Sequence, residues 1–240
     1  MTFCLGIKVE EGLIGIADTR ITSGTERITA SKVTVHQNGE HSLFLMTSGL
    51  RSIRDKALTY FERVLEETHG FPKLYLAVNA LAAQIRQVAN EDKQALEEAG
   101  LHFNLHALVG GQLKDDKEHK LYMIYPQGNW VEVSSGSPYS IIGESGFGRS
   151  VLDRLLKHDT DIVTALKAGY LAFNATITCA VNVDYPIDVV LYRKGTYKIK
   201  AHRYNKEDLA EFSKRWLASL QDALQGMPAD WLAPLLGKSD

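Results

Sequence analysis

The order of apolar patterns predicts an α+β fold in which two sheets pack face to face and each is covered by a pair of helices. Two observations carry this. Runs of strand-like alternation are separated by paired helical segments, an order that segregated α+β folds show and alternating α/β folds do not. Each predicted helix also has a single apolar stripe, which requires a sheet beneath it. No Pro-, Gly- or Ser-rich linker cuts the pattern.

Phe3, Leu5, Ile7 and Val9 alternate with Cys4, Gly6 and Lys8, the signature of a half-buried strand. Glu10-Glu11-Gly12 supplies a turn, and Leu13 to Ala17 resumes an apolar strand ending at Asp18-Thr19-Arg20. With a three-residue loop, Val9 faces Leu13, Thr2 lies opposite Arg20, and Asp18 sits diagonally beside Thr2 on one face. A two-residue loop shifts the register by one and turns Asp18 away. Ile21 to Thr25 reads as a polar loop and Ile28 to Ala30 as a short extended piece. Lys32–His36 and Ser42–Thr47 form a hairpin about Asn38-Gly39, closed by Ser48-Gly49.

A helix follows with Ile53, Ala57, Tyr60, Phe61, Val64 and Leu65 on one face, stopped by His69-Gly70 and Pro72. A second runs from Lys73 to Glu98 on a stripe of Leu74, Ala77, Val78, Leu81, Ile85 and Val88. Strands are expected at 102–110, 119–125, 130–133 and 139–142, with helices at 148–158 and, capped by Thr160-Asp161, up to Ala175. Further strands are read at 177–182, 188–194 and 196–201. The last helix, 206–224, has Leu209, Phe212, Trp216, Leu217, Leu220 and Leu224 on one side. The chain is accordingly read as a domain over 1–205, with a helical extension over 206–240 that packs on that domain or on a neighbouring subunit.

A formal net charge of −2 gives no field that would select nucleic acid or anionic membrane. No basic and apolar leader opens the chain and no run approaches 18 apolar residues, so a membrane role is not expected. The two cysteines, Cys4 and Cys179, form no disulfide framework and suit a reducing, cytoplasmic compartment. His102 and His106 have helical spacing inside a predicted strand, so neither a metal site nor a cofactor is expected.

Thr2 directly follows Met1. Removal of Met1 would place a hydroxyl nucleophile and a basic α-amine on one residue. From Thr2 to Gly49 the chain resembles the proteasome β-subunit family of N-terminal-nucleophile hydrolases. It reproduces the strand–turn–strand opening, the run Ala17-Asp18-Thr19-Arg20-Ile21-Thr22-Ser23-Gly24, a Lys32-Val33 strand start and the Thr47-Ser48-Gly49 strand end. Met1-Thr2-Phe3-Cys4, Ile142-Gly143-Glu144-Ser145, Leu152-Asp153-Arg154 and Pro186-Ile187-Asp188 bring it nearest to the bacterial Anbu, or ancestral β-subunit, homologues. The resemblance implies a four-layer αββα sandwich.

It also implies a threonine peptidase. Thr2 Oγ would attack, its amine would serve as base, Lys32 would lower both pKa values, and Asp18 would neutralise Lys32. Gly49 would offer its N–H to the oxyanion, Thr22 would pair with an extended peptide, and Thr47 would border the pocket before the cut. Two departures stand out. The family's Gly-Ser-Gly-Ser is Gly143-Glu144-Ser145-Gly146, so the helping serine is Ser145 or absent. The family's Arg-Asp-x-x-Ser loop is Thr178-Cys179-Ala180-Val181-Asn182, with Asp184 nearby.

The main expectation is cleavage of peptides or unfolded protein by a homo-oligomeric ring or open spiral, with no unfoldase identified. The alternatives are an amidohydrolase acting on a small amide and a catalytically weak structural oligomer subunit. Trp216 and Trp231 in the tail exceed what one sandwich need bury.

Overall fold

A computed structural model describes residues 2–23 and 26–237, with the side chains of 22–28 outside the described set. By internal packing the chain divides into two compact units, Met1–Tyr204 and Asn205–Asp240.

The first unit is the αββα sandwich read from the sequence. One sheet has the order β10-β1-β2-β11-β12, from Tyr139–Gly143, Phe3–Val9, Gly12–Asp18, Ile187–Arg193 and Ile199–Tyr204. The other has the order β5-β6-β7-β8-β9, from Val33–Asn38, His41–Gly49, Leu105–Gln112, Lys120–Ile124 and Trp130–Glu132. Helices α1 (Arg51–Thr68) and α2 (Leu74–Glu98) pack on the second sheet through Ile53, Phe61, Leu81 and Ile85. Helices α3 (Gly146–Leu155) and α4 (Ile162–Cys179) form the other pair, α4 lying on β1 and β2. Between the sheets lie Cys4, Leu13, Ala17, Phe44, Met46, Leu121 and Tyr192. Phe3, Phe44, Phe61, Phe173 and Tyr192 are fully buried, and burial of an apolar side chain of this size contributes about 1.5–3 kcal/mol.

Several local readings change. Strand β1 is buried along its whole length, not half-buried. Cys4 and Gly6 on its second face are small, and a Cβ on Gly6 would lie 3.0 Å from Leu121 Cδ2. A side chain here would push against the Leu121 methyl groups of the second sheet, so glycine eases the close approach. The β1–β2 turn is the two-residue alternative, since Val9 pairs with Gly12. The segment read as a polar loop forms a ribbon of β3 (Arg20–Ser23) and β4 (Glu26–Thr29).

Residues 177–179, read as a strand, complete α4 instead. This helix is long and apolar enough by length and composition to cross a membrane, and half of it is buried inside the protein. It starts where Asp161 Oδ1 accepts bonds from the amides of Val163 and Thr164 at 3.1 and 3.0 Å, a side-chain N-cap.

The second unit consists of a 3₁₀ turn (Glu207–Leu209), α5 (Ala210–Gln225) and a short helical tail through Leu236. None of its helical residues is buried. Leu217, Leu220, Leu224, Met227, Trp231, Leu235 and Leu236 are exposed, Leu224 by 75% and Trp231 by 72%.

Candidate functional site at the Thr2 end of the sandwich

The hairpin register sets Asp18 opposite Phe3 rather than diagonal to Thr2. This register does not turn the acid away from the N-terminal residues, because the carboxylate folds back onto the neighbouring main chain. Phe3 N donates to Asp18 Oδ1 at 2.8 Å, and Lys32 Nζ donates to the same oxygen at 2.7 Å. Both side chains of the pair are buried, and Asp18 Oδ2 has no partner among the described residues. Burial raises the Asp18 carboxyl above its ordinary range, with the positive charge of Lys32 opposing. Lys32 stands just before β5, where its carbonyl accepts from Thr47 N at 3.3 Å. One carboxylate oxygen thus joins β1 of one sheet to the entry of β5 in the other.

Thr2 is 8% exposed. Its carbonyl accepts from Glu144 N at 2.7 Å, which fixes it beside the end of β10. Gly143 has φ +89°, and a Cβ there would stand 1.9 Å from Thr2 O, so only glycine allows this contact. Ser145 is the residue before α3 and makes no side-chain cap bond. Among the described residues Lys32 Nζ bonds to Asp18, and no hydrogen bond joins it to Thr2 Oγ.

Gly49 ends β6 with φ +147°, and a Cβ would lie 1.7 Å from Asn104 O. Packing of β6 against the entry to β7 therefore requires glycine here independently of any oxyanion. Thr47 is buried and its Oγ1 has no partner among the described residues, while its carbonyl receives Cys4 Sγ at 3.7 Å. Burial pushes the Cys4 thiol well above its usual range, so it remains protonated. Thr22 pairs with Arg27 across the β3–β4 ribbon, and its side chain lies outside the described residues.

The structure thus gathers Thr2, Asp18, Lys32 and Thr47 through the Phe3 amide, the Cys4 thiol and the backbone bond from Thr47 to Lys32. It adds the backbone of Gly143 and Glu144, which side-chain reasoning missed. The family-like Gly-Glu-Ser-Gly run was the available signal for them. Asp184 Oδ2 lies 3.5 Å from Arg20 Nη1, an ion pair the sequence left without a role. No group of three potential metal ligands is present among the described residues.

The profile of the family described as Proteasome subunit matches residues 2–186. No curated protein matches the chain significantly. Among solved structures, Anbu from Yersinia bercovieri is similar at a TM-score of 0.88 and 25% identity, covering 95% of this chain and 98% of that one. The helical assembly of the Anbu complex from Pseudomonas aeruginosa gives 0.88 and 26%, with 95% and 97% covered. An Anbu (Gly-1) mutant from Hyphomicrobium sp. strain MC1 gives 0.87 and 26%, with 95% and 98% covered.

These findings overturn the expectation of an active threonine peptidase that hydrolyses peptide bonds. The likeness is to Anbu chains, which include (Gly-1) forms and a helical assembly, and it favours the structural alternative over N-terminal threonine catalysis. Fold, site geometry and family profile agree that the chain belongs to the proteasome subunit family.

Proposed function

We propose that this chain is a self-assembling structural subunit of proteasome type, forming a homo-oligomer in the cytoplasm. One observation carries the reading: the exposed apolar series of Leu217, Leu220, Leu224, Met227, Trp231, Leu235 and Leu236 in the C-terminal unit. A helix of this length with no buried residue has little stability of its own in water, because helices in proteins draw most of theirs from packing an apolar face. A second copy of the chain is the occupant we assign to that face. The helical assembly described for the similar Pseudomonas aeruginosa complex supports this choice. The unpaired Cys4 and Cys179 suit a reducing compartment.

In this reading the Asp18–Lys32–Phe3 cluster is a structural clasp between the sheets. Light scattering coupled to size exclusion tests the assembly. The full chain is expected to elute at a multiple of 26.7 kDa. The double variant Leu224→Glu, Trp231→Glu is expected to shift to smaller species, with any loss of helical content confined to the C-terminal unit while the sandwich stays folded. A monomeric full chain, or a double variant with unchanged mass, would overturn the reading.

A further inference from the structure

The sandwich opens along one side, where the edge strands β5 and β12 stand next to each other. A cavity of about 390 Å³ at this opening is lined by Ser31, Val33, Val35, Val189, Ala201 and Arg203, among others. Val33 and Val35 pair with Met46 and Phe44, which belong to the core between the sheets, so both valines face inward. Val35 is nevertheless 37% exposed at this opening. One end is walled by Arg203, whose Nε and Nη2 reach Asp188 at 2.7 and 2.9 Å, and by Ser31 Oγ donating to Asp188 at 2.8 Å.

The outer edge of β12 shows which way its backbone groups point. Ile199 N donates to Gln37 Oε1 at 2.7 Å, so a side-chain amide stands where a neighbouring strand would offer a carbonyl. Antiparallel pairing alternates with a period of two, so the N–H and C=O of Ala201 and Arg203 point outward as well. Ala201 and Arg203 pair with Val190 and Asp188, and their side chains face the opening. Lys200 and His202 occupy the alternate register positions and are exposed, with His202 also bordering the cavity. The ion pair along β12 among the described residues is Arg203–Asp188, which leaves Lys198 and Lys200 unmatched.

The geometry points to β12 as a docking edge for an extended acidic segment of another protein, added as a sixth strand. The alternation dictates the partner's pattern: acidic side chains beside Lys198, Lys200 and His202, and small apolar ones over Ala201 and Val35. Main-chain bonds to Ala201 and Arg203 provide the attachment, and the side chains select the partner. The opposing reading is that these lysines guard a bare edge against aggregation.

The test is fluorescence polarisation of the full chain with a labelled hexapeptide alternating glutamate and valine. Controls are a lysine–valine counterpart and a glutamate–valine peptide N-methylated at each valine. Binding is expected for glutamate–valine alone. It should weaken with salt and weaken by roughly tenfold in Ala201→Pro, which removes one outward N–H. The double variant Lys198→Glu, Lys200→Glu should transfer preference to the lysine–valine peptide. Equal binding of the N-methylated peptide would reduce the effect to bulk charge and overturn strand addition, even if Ala201→Pro fails to fold. Absence of glutamate–valine binding would overturn the proposal, the more so if Lys198→Ala, Lys200→Ala aggregates, since the lysines are then guards.

Discussion

Replacing Asp18 with alanine removes the anion paired with a buried ammonium and, in the same step, the acceptor of the Phe3 amide. The distances of 2.7 Å to Lys32 Nζ and 2.8 Å to Phe3 N mark both as full-strength bonds. Breaking one side of a buried ion pair costs about 3–5 kcal/mol, because the remaining charge stays desolvated. For a chain of this size that corresponds to a fall in Tm of about 6–20 °C. Lys32→Met should cost less. Burial already holds the Asp18 carboxyl above its ordinary range, so it can neutralise itself by taking up a proton. Combining Asp18→Asn with Lys32→Met removes both charges while keeping an acceptor for Phe3 N, and should recover most of the loss. Thermal unfolding followed by far-ultraviolet circular dichroism, at one fixed protein concentration, measures all three, since assembly makes stability concentration-dependent. A Tm change under about 2 °C for Asp18→Ala, or a double variant as unstable as the alanine variant, would refute the clasp.

Gly49→Ala should be among the most damaging single changes, at roughly 4 kcal/mol or more. The new Cβ would stand 1.7 Å from Asn104 O, and a soluble yield with near-normal Tm would disprove this. His119 accounts for an acid sensitivity. It is buried, with Nε2 2.8 Å from Val9 O and Nδ1 unpartnered among the described residues. Lys8, Glu118 and Lys194 are the charged groups around it, and Tyr192 stacks at an angle beside it. Burial lowers its pKa below the unfolded value, so the unfolded chain binds the proton better. Stability is then complete above about pH 6.5 and falls as pH drops through that value toward the folded pKa. His119→Gln should flatten Tm against pH between 7 and 5, and an unchanged slope would contradict the assignment.

The sandwich was legible because its evidence is periodic. The stripes of α1 and α2, and the strand runs between them, recur over many residues and each requires the opposing layer. Locally the sequence misled where tertiary contact decides. Ile177 to Cys179 have strand-like side chains, but they continue a helix already buried against β1 and β2. Lys8 reads as an exposed position by alternation. It is buried near Glu118 and Glu132, at 3.8 and 3.4 Å, because Cys4 and Gly6 let the second sheet close over that face.

At the candidate site, Asp18 and Lys32 were visible as residues, while their link through the Phe3 amide was not. It depends on a one-residue choice of hairpin register that Glu10-Glu11-Gly12 leaves open. The peptidase expectation failed for a related reason. Family motifs record the fold's need for a close-packed Gly49 and a neutralised Lys32 as readily as they record chemistry.

The claim that this chain serves as a structural subunit, without threonine catalysis, is tested most directly by peptide hydrolysis. The assay measures turnover per subunit of the assembled chain, side by side with an equally assembled Thr2→Ala variant, on a mixed library of unstructured peptides. The account predicts indistinguishable rates at the level of the uncatalysed control. Hydrolysis by the unmodified chain that disappears in Thr2→Ala would contradict it.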